Sequence, residues 1–312
     1  MRLSIVVPCY NEEPVLQETT VRLSAVLDSL VEKRKISSDS FILYINDGSR
    51  DMTWTIIESL HDRNSYVKGL NLAGNVGHQN ALMAGLMTAK GYADVLISID
   101  ADLQDDVSVI EEMVDRYKEG YDIVYGVRSS RDSDTFFKKN TALAFYKLMS
   151  WLGVKSVYNH ADYRLMSRRA VEQLGNYKER NLFLRGIVPL IGYETTSVYY
   201  RRSERFAGES KYPLSKMFNF AIDGITSFSV KPLRLIASLG FLFLLCSLVA
   251  VVYTLYVYFN GETVAGWASL MLSVWFLGSL ILIAIGIVGE YIGKIYLEVK
   301  ERPRYNIEKF LN

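Results

Sequence analysis

The stretch "ADVLISIDADLQDD" at residues 93–106 drives an apolar, strand-forming segment into four carboxylates, Asp100, Asp102, Asp105 and Asp106. Extended chain repeats its facing every second residue, so continued strand geometry would aim Asp100, Asp102 and the Gln104 amide to one side. Buried carboxylates without partners are costly, and two adjacent ones either share a proton or recruit a cation. Oxygen donors with no thiolate or imidazole beside them favour a hard divalent ion, Mg2+ or Mn2+, which keeps coordination places for phosphate oxygens. Asp105 and Asp106 read differently, as acids that cap and complement the start of the next helix.

Those carboxylates need a scaffold, and the flanking pattern supplies one. "RLSIVVP", "FILYIND", "YVKGLNL", "DVLISID" and "YDIVYGV" read as short buried strands, and between them lie segments with apolar residues at helical spacing. Alternation of this kind implies α/β architecture: an open, mainly parallel, Rossmann-like sheet with helices on both faces. Ligands of such sheets bind at the carboxyl ends of the strands. Three ends are chemically loaded, "VVPCYNEE", "YINDGSRD" and "ISIDADLQ", which points to one binding cleft.

Several chemistries are excluded. The 312 residues contain no Gly-x-Gly, no phosphate loop and no Gly-x-Ser-x-Gly elbow. The three histidines, His61, His78 and His160, lack zinc spacing. A net charge of +1 argues against nucleic-acid binding. Cys9 and Cys246 are badly placed to pair, which fits a reducing compartment.

Residues 235–292 carry almost no charge. They divide into two apolar stretches, about 235–259 and 265–290, each long enough to cross a bilayer. Lys211, Lys216, Lys231 and Arg234 precede the pair, and Lys294, Lys300, Arg302 and Arg304 follow it. The positive-inside rule then leads to the expectation that the N-terminal domain and both termini lie in the cytoplasm, in a multi-pass, inner- or plasma-membrane protein. Leu214, Met217, Phe218, Ala221, Ile222, Ile225 and Phe228 recur at helical spacing, as in an amphipathic helix lying in the membrane interface. The expected organisation is a domain at 1–210, a juxtamembrane segment at 211–234, a helical hairpin at 235–292 and a tail at 293–312.

The motifs "VVPCYNEE", "INDGSRD", "NVGHQNALMAGL" and "DADLQDD" together resemble family 2 glycosyltransferases of the GT-A fold. "YGVRSSR", "HADYRLMSRRAV" and "RFAGESKYPLSKM", followed by the apolar stretches, resemble the polyprenyl-phosphate subgroup, which includes dolichol-phosphate mannose synthases and bacterial undecaprenyl-phosphate sugar transferases. That resemblance implies an inverting transfer of a hexose from a nucleotide-diphosphate sugar to polyprenyl phosphate, for glycosylation of cell-envelope polysaccharide. UDP-glucose or UDP-N-acetylglucosamine is the first expectation for the donor, with GDP-mannose the alternative and a processive polysaccharide synthase a more distant one. It is also taken to imply a flippase and a downstream transferase in the same pathway. Gly286, Gly289 and Gly293, in and just after the second apolar stretch, would permit close helix contact, from which a homo-oligomer is expected, a tetramer being one form.

The resemblance assigns roles to positions. Pro8, Tyr10, Glu12 and Asp47 match contacts to the nucleoside; Asp100, Asp102 and Gln104 match the ligands of metal and diphosphate. Arg128, with Arg131, matches the phosphate-facing arginines, and Arg205, Ser210 and Lys211 match the segment that closes over diphosphate or acceptor phosphate. Asp162 stands where the subgroup has its proposed catalytic base. A phosphate acceptor is already ionised at neutral pH, so Asp162 could instead orient the acceptor or anchor a basic neighbour.

Overall fold

A computed structural model of the chain describes residues 1–129, 160–180, 182–201, 231–260 and 266–312. The chain divides into two units. The first comprises Met1–Tyr146, Lys155–Pro213 and Arg302–Asn312; the second comprises Lys147–Val154 and Leu214–Glu301.

The first unit is built on one eight-stranded sheet. In chain order its strands are β1 (Leu3–Cys9), β2 (Phe41–Asn46), β3 (Val67–Leu72), β4 (Val95–Ser98), β5 (Ile123–Arg128), β6 (His160–Ser167), β7 (Thr195–Tyr200) and β8 (Ile307–Leu311). Their spatial order is β7-β5-β6-β4-β1-β2-β3-β8. β1, β2 and β4 are buried at every position, as strands covered on both faces must be.

Helices α1 (Leu16–Glu32), α2 (Thr53–Arg63) and α4 (Ile110–Lys118) cover one face. There Leu16, Leu23, Leu27, Ile57 and Met113 pack with Leu3, Ile5, Val7 and Tyr44 in a single core. Helix α3 (His78–Ala89) covers the alternate side chains of β1 and β2. A Cβ at Gly85 would lie 2.6 Å from both Val6 and Ile45, so glycine is what lets α3 sit this close to the sheet. Helix α5 (Arg168–Gly175) and the single turn α6 (Leu184–Ile187) follow β6.

Two features depart from a simple alternating pattern. β6 runs antiparallel to both of its neighbours, β4 and β5, while β1, β2, β3 and β4 pair in parallel. Residues 307–311, expected within a tail, form β8 instead and pair antiparallel with β3, with Leu70 opposite Phe310. Ion pairing of Lys309 with Glu58 and an Asn71–Glu308 hydrogen bond fasten that edge.

The second unit contains two long helices, α7 (Lys231–Phe259) and α8 (Trp267–Val299). They touch through an edge-on contact of Phe243 and Phe276. Among the described residues, one segment, Phe276–Val299, is long and apolar enough to cross a membrane. The interfacial helix expected over 214–228 lies outside the described residues.

Candidate active site

β6 explains how distant residues meet. Its antiparallel direction puts its first residues at the rim where β4 and β5 end. Arg164 stands opposite both Ser98 and Tyr125, and His160 stands opposite Val127. Asp162, two residues before Arg164, therefore lies past the end of β4, on the side of Asp100. The Ser98 hydroxyl donates to the Asp162 carbonyl at 2.5 Å and fixes this junction.

The expectation that strand geometry carries on through Gln104 is corrected. β4 stops at Ser98, and Leu103 takes a left-handed φ of 57°, a conformation that costs a non-glycine residue of order 1–3 kcal/mol. The chain turns here because Asp102 Oδ1 accepts the Gln104 N–H at 3.2 Å, a local turn that competes with extended structure. Asp100 and Asp102 still share the rim. Asp100 Oδ1 is buried and has no hydrogen-bond partner, although 37% of the side chain as a whole is exposed. Burial foremost, opposed by His78 and reinforced by Asp105, Asp162 and Asp102, pushes the Asp100 carboxyl up to about 6. An orphaned carboxylate oxygen with a second carboxylate two residues away fits a divalent cation. Among the described residues no group of three or more His, Cys, Asp or Glu is arranged to hold a metal ion, so a cation here would rest on two carboxylates and on oxygens of the ligand it carries.

Of the two acids expected to cap the next helix, one does so. Asp106 caps the turn that precedes α4, accepting the Ser108 N–H at 2.9 Å. Asp105 does not cap. It is buried and accepts the Tyr200 hydroxyl at 2.5 Å and Arg128 Nη2 at 3.3 Å. Arg128, at the end of β5, is thereby held at the same rim.

Asp162 sits in a nest of cations. Arg164 Nη2 reaches its Oδ1 at 2.6 Å, and Arg185 spans both oxygens at 3.3 and 3.2 Å. His78 Nε2 lies 3.7 Å from Asp162 Oδ2 and 3.6 Å from Asp100 Oδ1, between the two acids. Burial alone would raise the Asp162 carboxyl; Arg185, Arg164 and His78 overcome it and hold the group well below the usual carboxylate range. A carboxylate so stabilised is a weak base.

The loops after β1 and β2 are stitched together. Ser49 Oγ accepts the Asn11 N–H, Asn11 Oδ1 accepts the Arg50 N–H, and Thr53 Oγ1 accepts the Glu12 N–H, at 3.0, 2.8 and 2.9 Å. Asp47 is buried, and its two oxygens accept the N–H groups of Val76 and Gly77 at 2.7 and 3.0 Å. A Cβ on Gly48 would come within 2.5 Å of the Asn75 nitrogen, and its φ is 61°, so the two loops approach as only glycine permits. Pro8 lies in the part of β1 beyond its last β4 partner, Val6 opposite Ser98, where a missing N–H breaks no ladder. Tyr10 is exposed at the rim and Glu12 half-buried beside it.

The described part of the site is thus a rim with two carboxylates at the end of β4, guanidinium groups on either side, and a stitched pair of loops at β1 and β2. Residues 4–175 match the model of glycosyl transferase family 2. This chain belongs to glycosyl transferase family 2. Residues 231–295 match a second model, the GtrB C-terminal hairpin. A Bacillus subtilis (strain 168) protein described as an uncharacterized glycosyltransferase, YkoT, is 57% identical over 98% of this chain and 91% of its own. The SfII prophage-derived bactoprenol glucosyl transferase of Shigella flexneri is 41% identical over 99% of this chain and 98% of its own. A solved glucosyl-3-phosphoglycerate synthase from Mycobacterium tuberculosis, in complex with Mn2+, UDP and phosphoglyceric acid, is 16% identical, covering 72% of this chain and 76% of its own at a TM-score of 0.45.

Within this family 2 glycosyltransferase, the structure brings together Asp100, Asp102, Asp162 and Arg128 from three separate stretches of sequence. Arg131, Arg205, Ser210 and Lys211 lie outside the described residues. His78, Arg164, Arg185 and Tyr200 are not singled out by spacing, and Asp105 reads from the sequence only as a capping acid. His78 was discounted for lack of zinc spacing, yet it opens α3 directly after Gly77, whose φ is 85°. Arg164 was legible in principle as a charge inside the otherwise apolar run "YRLM".

Proposed function

We propose that this glycosyltransferase moves glucose from UDP-glucose to polyprenyl phosphate at the cytoplasmic face of a membrane. UDP-N-acetylglucosamine is the next donor in order, and GDP-mannose the alternative. The observation that carries the reading is the pairing, on one rim, of an orphaned carboxylate oxygen on Asp100 with a guanidinium-rich wall around Asp162. That is a site for a cation-bound diphosphate on one side and an anionic acceptor on the other. The full-length likeness to a protein named bactoprenol glucosyl transferase supports a polyprenyl acceptor and glucose.

In the proposed reaction an acceptor phosphate oxygen attacks the anomeric carbon and forms the new C–O bond. The bond from that carbon to the nucleoside diphosphate breaks, and its electron pair leaves with the diphosphate. The configuration inverts in this single displacement. No proton need be removed, because the acceptor is already ionised. Asp100 and Asp102 would hold Mg2+ or Mn2+, with Gln104 beside them, and the ion when bound supplies charge neutralisation to the departing diphosphate. Arg128 supplies a second positive charge from the end of β5, on the same rim. Asp47 is assigned a supporting part: it shapes the 75–78 loop against which the nucleoside would rest, with Pro8, Tyr10 and Glu12 lining the other loop. Arg131, Arg205, Ser210 and Lys211 remain proposed contacts to phosphate.

Helices α7 and α8 are proposed to span the bilayer as a hairpin. That one unit holds both the chain before α7 and β8 after α8 supports a hairpin that returns to the side it left. Exposed apolar side chains such as Ile281, Leu282 and Ile285 suit a lipid solvent. Flanking lysines and arginines support a cytoplasmic position for that side. A homo-oligomer, and a flippase and downstream transferase acting on the product, complete the proposal.

The test is transfer by purified protein from radiolabelled nucleotide sugars to undecaprenyl phosphate with Mg2+. Glucose should appear on the lipid, one residue per acceptor. Absence of any lipid-linked sugar across the donor panel, with UDP still binding, would refute it.

A further inference from the structure

Two arginines reach Asp162, and they differ in one decisive respect. Arg164 is 1% exposed and enclosed; Arg185 is 37% exposed at the rim. Arg185 offers Asp162 one edge of its guanidinium, through Nε and Nη2, and a carboxylate gripped at two points fixes the plane of that group.

The segment that carries Arg185 is itself pinned. The Leu184 N–H donates to Gln79 Oε1 at 2.8 Å, so the first turn of α3 holds α6 in place. The residue before Gln79 is His78, which stands between Asp100 and Asp162. One short sequence, "GHQ", thus ties the β4 carboxylates to the Arg185 segment.

Charge balance then sorts the roles. In the proposed function a donor diphosphate would have its cation held by Asp100 and Asp102 and a guanidinium from Arg128. An acceptor monophosphate brings nearly two negative charges and no metal of its own. Protonating Asp162 would leave Arg164, inside the protein, without its counter-ion, a change that buried pairs strongly resist. A base must take up a proton in every turnover, and Asp162 cannot do so at that cost.

We propose that Arg185 contacts the phosphate of the acceptor, and that Asp162 is its positioning residue and not a general base. This deepens the proposed function and rests on it for the identity of the lipid. The shared chemistry is a phosphate monoester dianion. Asp162 aims the guanidinium, Arg164 keeps Asp162 ionised, and Gln79 sets the height of the turn.

The first experiment uses no lipid. Inorganic phosphate is titrated calorimetrically into the full-length protein loaded with UDP and Mg2+. Wild type should bind it, Arg185→Ala should weaken binding about 10- to 100-fold, as loss of a charge-assisted hydrogen bond does, and Arg185→Lys should recover part of it. UDP affinity should be equal in all three, which also shows that the variants are folded. Equal phosphate affinity in wild type and Arg185→Ala, or a loss of UDP affinity in Arg185→Ala, would overturn the assignment. This arm stands even if polyprenyl phosphate proves not to be the acceptor.

The second experiment separates positioning from base catalysis. With undecaprenyl phosphate as acceptor, Asp162→Asn should raise the acceptor KM more than it lowers kcat, and the pH profile should keep its shape. A fall in kcat of about 100-fold or more with an unchanged acceptor KM is the signature of a lost base and would overturn the positioning role.

Discussion

The Tyr200 hydroxyl donates to Asp105 Oδ1 over 2.5 Å, joining the end of β7 to the acid-rich turn after β4 across 95 residues of sequence. The same carboxylate oxygen accepts Arg128 Nη2, so one bond to Tyr200 steadies a catalytic-rim arginine it barely touches. Burial, with Asp105 beside it, pushes the Tyr200 hydroxyl well above the usual range, so it stays a donor at any working pH. Tyr200→Phe should destabilise the protein by about 1–3 kcal/mol, because Asp105 stays buried with a partner missing. Denaturant unfolding measures that loss. The acceptor or donor KM should rise as well, since Arg128 loses its anchor; a variant as stable as wild type would show the contact to be idle.

Asp47 governs the loop that delivers His78. Its carboxylate satisfies the Val76 and Gly77 N–H groups ahead of α3, where Gly77 lies outside the ordinary L-residue conformations. Asp47→Ala should cost about 2–4 kcal/mol, as two buried donors lose a charged acceptor. Asp47→Asn, which can still accept through one oxygen, should recover roughly half of this. Hydrogen exchange at Val76 and Gly77 is the direct readout, and unchanged protection in Asp47→Ala would contradict the role.

What the sequence disclosed, and what it hid, follows from the range of the signals. Buried parallel strands such as "LSIVVPC" declare themselves through continuous β-branched and apolar residues, and their loaded ends locate the rim. The direction of β6 is invisible to that pattern, because "DYRLMS" reads alike in either sense. Only pairing with β4 and β5 shows that Asp162 faces Asp100. β8 was hidden for a similar reason: five residues after a long apolar helix carry no periodicity strong enough to mark a strand. Arg185 lies in the short segment "LRGI", where one turn of helix gives spacing nothing to work on.

The carboxylate pair makes a sharp prediction about metal. Asp102→Ala should abolish transfer while leaving the unfolding transition near that of wild type, since Asp102 shares a turn and not the core. Chelation of wild type should have the same effect on activity and be reversed by added Mg2+ or Mn2+. Wild-type rates in Asp102→Ala would remove the cation from the mechanism.

Asp100 gives the pH dependence its sign. Its carboxyl is pushed up to about 6, first by burial, so between the ordinary value near 4 and about 6 the folded protein holds more protons than the unfolded chain. Stability of the metal-free protein therefore falls as pH rises through that window and stays lower above it. A divalent cation competes with that proton, so the stabilisation given by Mg2+ with UDP should be large at pH 7.5 and small at pH 5. Asp100→Asn removes the charge that burial disfavours; it should be more stable than metal-free wild type at pH 7.5, about equal at pH 4, and indifferent to Mg2+. Thermal unfolding across this pH range, with and without the ion, checks all three. A wild-type stability that rose from pH 4 to pH 6, with no gain in Asp100→Asn, would mean that Asp100 is satisfied by a partner within the protein and has no call for a metal.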